Sequence, residues 1–203
     1  MTTISETPAA SQSATAFPRL NVLRRARGRV RLGTLNNLRW LAVVGQSFAL
    51  LVVRVVFDFD FPLLLAASPI VASAVLNIML GIAYPATKRL SAGEATAFLA
   101  YDIVQLGALL FFTGGIENPF AVLLIAPVVI SAATLDVFST VLLGALSFAA
   151  ISFLWQAHLP LPWSPVNGLR LPVLYQFGIW ISLILGVGFT SIYAWRMATE
   201  ATP

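Results

Sequence analysis

The sequence predicts an all-α, polytopic integral membrane protein with six transmembrane helices and both termini in the cytoplasm. Three observations carry that prediction. Of 203 residues, 59% are hydrophobic and only 10% charged, with mean hydropathy +0.88; that is more apolar surface than a soluble domain of this length can bury. The apolar residues gather into six runs separated by charge, proline or glycine, each close to the roughly 20 helical residues that cross about 30 Å of hydrocarbon. Those runs also lack the period-2 alternation and turn spacing of an outer-membrane barrel.

Residues 1–37 are polar and basic with no apolar core of a cleavable signal, so they read as a cytoplasmic N-terminal segment. The first helix, 38–57, then serves as its own insertion signal, and Arg54 near its far end can snorkel to the interface or reach Asp58 one turn later. The second run, 62–84, contains Pro69 and Asn77, and the third, 95–113, contains Asp102. The fourth, 119–135, is the shortest; Pro119 fits its first turn, and Pro127 is placed to kink it. The fifth and sixth cover 139–157 and 173–197. Residues 66–74 and 124–132 share a proline four places ahead of a serine, a pattern that fits a duplicated hairpin and equally fits chance in small, apolar sequence. Small residues such as Ser73, Gly144, Ser147 and Gly186 would let helices approach closely.

Basic residues set the orientation. The arginines of residues 19–39, then Lys88, Arg89 and Arg196, all fall on one side of a six-pass threading, whereas Asp58, Asp60, Glu117 and Arg170 fall on the other. The positive-inside rule puts the first side in the cytoplasm. Beside a membrane helix, the arginine cluster reads as contact with anionic lipid rather than as a nucleic-acid arm.

The absence of cysteine excludes disulfides, thiol switches and cysteine-based metal sites from these residues. His158 has no paired acid or second ligand and reads as an interfacial residue near Trp155 and Trp163. With no Gly-rich nucleotide loop, no nucleophile–base pair and no carboxylates at catalytic spacing, no catalytic residue and no metal site is expected. Within the membrane, Asp102 must be paired or protonated. Gln46 and Asn77 reach nearly its depth on the first and second helices, so the three are expected to form a polar layer hydrogen-bonded across helices, with Tyr101 and Gln105 beside it.

The most specific local feature is Gly114-Gly115-Ile116-Glu117-Asn118-Pro119-Phe120, between the third and fourth runs. Paired glycines permit positive φ, Pro119 presets the next turn, and Asn118 beside Phe120 supplies hydrogen bonds next to an aromatic face. Good hairpin chemistry explains the same residues; so does a site for a flat, carbonyl-bearing, lipid-soluble molecule.

That heptapeptide resembles the Gly-Gly-X-X-Asn-Pro-Phe element of the RegB/PrrB-type redox-sensing histidine kinases, and residues 38–46, Leu-Arg-Trp-Leu-Ala-Val-Val-Gly-Gln, resemble the start of that family's first membrane helix. The resemblance implies a six-helix sensor, a homodimer, and a ubiquinone or ubiquinol site at Gly114, Gly115, Asn118, Pro119 and Phe120, with Ile116 and Glu117 in the variable places. It also implies that residues 198–203 begin a linker to a cytoplasmic kinase domain that phosphorylates a cognate response regulator. His158 lies on the wrong side and lacks the family's motif for the phospho-acceptor. The readings from other classes are a six-helix small-molecule or proton-coupled transporter, against which stands the lack of a second deeply placed charge, and a plain membrane anchor.

Overall fold

The computed structural model describes residues 31–161 and 171–200, and every regular element among them is helical. Arg19, Arg24, Arg25, Arg27, Arg29, Pro162, Trp163, Pro165 and Arg170, with residues 201–203, lie outside the described residues. Five helices are long and apolar enough to cross a membrane: α1 (Leu32–Val55), α2 (Leu63–Ala83), α3 (Ala92–Phe112), α5 (Val137–Gln156) and the Val173–Tyr193 part of α6 (Val173–Glu200). The fourth predicted run, 119–135, is shorter. It starts as a 3-10 helix, Pro119–Ile125, and turns into α4 (Ala126–Thr134).

Proline accounts for that difference. Pro119 opens the 3-10 stretch behind the Asn118 cap, and Pro127, which has no N–H to give, sits in the first turn of α4 rather than inside a helix. Because 3-10 turns rise about 2.0 Å per residue against 1.5 Å in α-helix, the two pieces together reach about 27 Å, close to the hydrocarbon thickness. Pro69, in contrast, lies inside an unbroken α2, so the proline–serine pattern shared by the two runs adopts two different backbone conformations.

Helix ends follow local chemistry. α1 begins at Leu32 rather than at residue 38, because the Leu32 and Gly33 amides donate to the Lys88 and Ala86 carbonyls (2.9 and 3.1 Å) and so find partners outside the helix. That contact draws the start of α1 to the α2–α3 connection, which forms a basic end with Arg31, Lys88 and Arg89. α3 starts with a capping box: the Glu94 amide donates to Ser91 Oγ, while the Glu94 carboxylate accepts from the Ser91 amide.

Packing concentrates on α3, α5 and α6, with α4 set against α5 and α6. Leu99, Ile103 and Leu110 of α3 and Leu143, Ile151 and Leu154 of α5 are fully buried between them. Small residues permit this approach: a β-carbon on Gly144 would lie 2.7 Å from Ser191 Oγ, and one on Gly186 2.7 Å from Ile125 Cδ1. α1 differs from the rest. Among the described elements its backbone packs against α2 alone, and Leu41, Val44, Phe48 and Leu51 stand exposed along it.

The Asp136 carboxylate caps α5, accepting from the Ser139 hydroxyl at 2.7 Å and the Ser139 amide at 3.2 Å. The Ser139 hydroxyl holds that carboxyl below its usual value against desolvation, with further help from nearby backbone amides. Since the native value is depressed, the cap's contribution is present above the unfolded value near 4 and is lost as pH falls through the native one. Asp136→Ala should destabilise the protein by about 1 kcal/mol at neutral pH. The melting difference between wild type and variant in detergent should shrink as pH drops below about 4.

Candidate functional site

The corner after α3 is built by two glycines in left-handed backbone, Gly114 at φ 109° and Gly115 at φ 57°. Space demands glycine there as much as conformation does. A β-carbon on Gly114 would sit 2.5 Å from Leu161 Cδ1 and 2.9 Å from Leu161 Cα; one on Gly115 would sit 2.5 Å from His158 Cγ. The segment after α5 is thus pressed onto the glycine pair and is fastened by the Leu159 amide donating to the Phe111 carbonyl at 2.8 Å.

Asn118 stitches the corner together. Its Oδ1 accepts from the Phe120 amide at 2.9 Å, and its Nδ2 donates to the Thr113 carbonyl at 2.9 Å and to Thr113 Oγ1 at 3.0 Å. Thr113 Oγ1 in turn donates to the Leu109 carbonyl. Both amide hydrogens of Asn118 therefore already have acceptors, which corrects the expectation that this side chain offers free donors to a ligand. Pro119 and Phe120 are exposed, and both lie on the wall of a groove.

Glu117, in one of the two variable places of the heptapeptide, is buried. Its carboxylate accepts from Gln176 Nε2 at 2.7 Å and from the Leu171 amide at 3.2 Å, so it joins the corner to the first turn of α6. Nothing in the local sequence points to this pair; Gln176 as a polar residue opening an apolar helix was the available signal.

The groove holds about 600 Å³ between α1, α3 and the Pro119–Thr134 segment. Its wall is mostly apolar, with Leu50, Leu106, Phe120, Leu123 and Ile130 among the contributors, and its polar side chains include Arg39, Gln46, Asp102 and Gln105. Two side-chain rungs cross it between α1 and α3. In the first, Arg39 Nε donates to Asp102 Oδ1 at 2.7 Å. In the second, Gln105 Nε2 donates to Gln46 Oε1 at 3.0 Å.

Arg39 was expected at the cytoplasmic margin among the topogenic arginines; the structure places it inside α1 and only 5% exposed. Besides Asp102, it donates to Asn77 Oδ1 at 3.2 Å and the Phe98 carbonyl at 3.3 Å. Its guanidinium also lies over the Phe98 and Tyr101 rings, 5.5 and 5.4 Å from their centroids. The polar layer is therefore split. Asn77 and Asp102 join through Arg39, while Gln46 pairs with Gln105 and touches neither. Sequence reasoning missed Arg39 as the partner, although an isolated Asp102 demands one. Among the described residues there is no group of three or more His, Cys, Asp and Glu side chains that could hold a metal ion.

No family model matches this chain, and no solved structure matches it. It is 39% identical over 170 residues to a sensor histidine kinase RegB of Cereibacter sphaeroides, an alignment covering 84% of this chain and 37% of that relative. A second Cereibacter sphaeroides protein of the same name is 39% identical over 171 residues, with the same coverage. The chain spans little more than a third of the length of the curated relatives it matches.

Removing one member of a buried ion pair leaves the other charge uncompensated, at about 3–5 kcal/mol, whereas replacing both can be nearly neutral. Arg39→Met and Asp102→Leu should each lower thermal stability sharply in lipid nanodiscs. The double variant should melt above either single one. Additive losses would show that the two groups do not act as a pair.

Proposed function

We propose, from the premise that this chain is homologous to the N-terminal portion of sensor histidine kinase RegB, that it is the membrane sensor of a two-component redox regulator and that its groove takes ubiquinone and ubiquinol. The observation that carries this reading is the 39% identity running through 84% of the chain. Six passes in a bacterial cytoplasmic membrane, a homodimer, and a kinase domain serving a response regulator belong to the same proposal. In it, the basic end with Arg31, Lys88 and Arg89 faces the cytoplasm by the positive-inside rule, and the glycine corner faces outward. Arg39, being buried and paired, no longer counts toward that rule.

In this reading the ligand enters sideways from the bilayer, past Pro119 and Phe120, which form one lip of the groove. Gly114, Gly115 and Asn118 keep that lip in shape. A quinone carbonyl only accepts hydrogen bonds, whereas a quinol hydroxyl also donates, so the two forms reward different arrangements of the groove walls. Only a difference in affinity between two arrangements can shift them; a tenfold difference is worth about 1.4 kcal/mol. The Glu117–Gln176 hydrogen bond gives the corner a direct link to α6, the helix that leads toward the C-terminus.

A transporter loses one objection and gains none of the support. Arg39 supplies the second deep charge that the sequence reading found missing, but each of its three nitrogens donates to a fixed partner, Asp102, Asn77 or the Phe98 carbonyl, as expected of a structural lock rather than a moving carrier of charge. The sequence identity favours the sensor.

The chain in nanodiscs should bind a short-chain ubiquinone analogue saturably in both redox forms. Asn118→Ala, which strands the Phe120 amide and the Thr113 carbonyl, should weaken that binding by roughly tenfold while the protein still inserts. Absence of saturable binding to the wild type would leave the plain membrane anchor as the better account.

A further inference from the structure

We infer that the polar head of the ligand sits on the Gln46–Gln105 rung, midway along the groove, and not against the glycine corner. This rests on the quinone reading above and says where within the groove the ring oxygens are held.

The corner has little left to offer a head group. Asn118 has partners for its oxygen and both amide hydrogens, and Thr113 Oγ1 is engaged as acceptor and donor. Thr113 and Asn118 line the groove there beside Pro119 and Phe120, but their hydrogen-bonding groups are already engaged with one another and with the backbone. The rung is different. Gln105 Nε2 donates to Gln46 Oε1, but among the described residues Gln46 Nε2 and Gln105 Oε1 have no hydrogen-bond partner, and both side chains line the groove. Asp102 lies one turn from Gln105 on α3; its side chain is 28% exposed, and only its Oδ1 is held by Arg39. A donor, an acceptor and a carboxylate oxygen thus meet in one zone of an otherwise apolar wall. Lipid tails cannot satisfy such groups.

Exchanging oxygen and nitrogen in both amides together keeps the hydrogen bond and still leaves one free amide donor and one free amide acceptor. A ring carbonyl accepts from the amide N–H; a ring hydroxyl also donates to Gln105 Oε1 or to the second Asp102 oxygen. One seat therefore holds both redox forms. The second Asp102 oxygen, an acceptor whichever way the amides are turned, lies on α3, the helix that ends at the glycine corner. Gln105 lies about 12 Å along α3 from Thr113, at 1.5 Å per residue, too far for one ring to touch both sites. The isoprenoid tail then runs along the apolar wall past Leu123 and Phe120 to the bilayer.

A ubiquinone analogue with an aryl azide on its ring distinguishes the two places in the wild-type chain in nanodiscs. Photolabelling that an unlabelled short-chain analogue competes away should map to the α1 and α3 segments around Gln46 and Gln105. Gln46→Leu and Gln105→Leu should each weaken binding of the short-chain analogue at least fivefold or so, with Phe120→Ala weakening it less. Competed labelling confined to residues 114–123, or unchanged affinity in both glutamine variants, overturns the seat while leaving the quinone reading intact. A wild-type chain that binds no analogue overturns both.

Discussion

An arginine in hydrocarbon needs a partner, and the pairing of Arg39 with Asp102 organises this molecule. Neither charge is tolerable alone at membrane depth. Together, with Asn77, the Phe98 carbonyl and two aromatic rings around the guanidinium, they form a closed polar knot joining α1, α2 and α3. The reach of the Arg39 side chain, and of the Gln46–Gln105 pair, lets α1 be tied to α3 without backbone packing. The space left between them is the groove. A shorter apolar pair would need close backbone approach to make contact, so the polar rungs let a lipid-facing cavity coexist with a defined helix arrangement.

The opposite side of the molecule follows a different rule. There α5 packs on both α3 and α6, Gly144 lets α5 approach α6 and Gly186 lets α6 approach Ile125, and the glycine corner is clamped from two directions: residues 158–161 press on Gly114 and Gly115, and Gln176 binds Glu117. The corner is thus a rigid junction where α3, the Pro119–Ile125 turn, the end of α5 and the start of α6 meet. That junction joins one lip of the groove to α6, whereas α1 is held by α2, by side-chain pairs to α3 and by the backbone bonds of its first turn to residues 86 and 88.

Much of this was legible in the sequence, for identifiable reasons. Apolar runs broken by charge, proline and glycine mark helices because hydrocarbon enforces backbone pairing within a segment. The glycine pair with Asn118 and Pro119 announces a built corner because few residues accept those backbone angles. Boundaries and pairings were less visible. The polar Asn36, Asn37 and Arg39 depress hydropathy at the start of α1, yet the helix continues through them because its first amides find carbonyls at residues 86 and 88. Arg39 and Asp102 are 63 positions apart, so only the physical demand for a counter-charge, not any local pattern, could connect them. Asn118 reads from sequence as a ligand donor, and only the fold shows that Thr113 already holds its hydrogens.

The Arg39–Asp102 knot sets the separation of α1 from α3. Spin labels at the lipid-exposed Phe48 and Val104 positions, measured by pulsed dipolar spectroscopy in nanodiscs, report that separation directly. One narrow distance distribution is expected in the wild-type protein, shifted or broadened when Arg39 and Asp102 are both replaced by leucine. Identical distributions in the two proteins would contradict it.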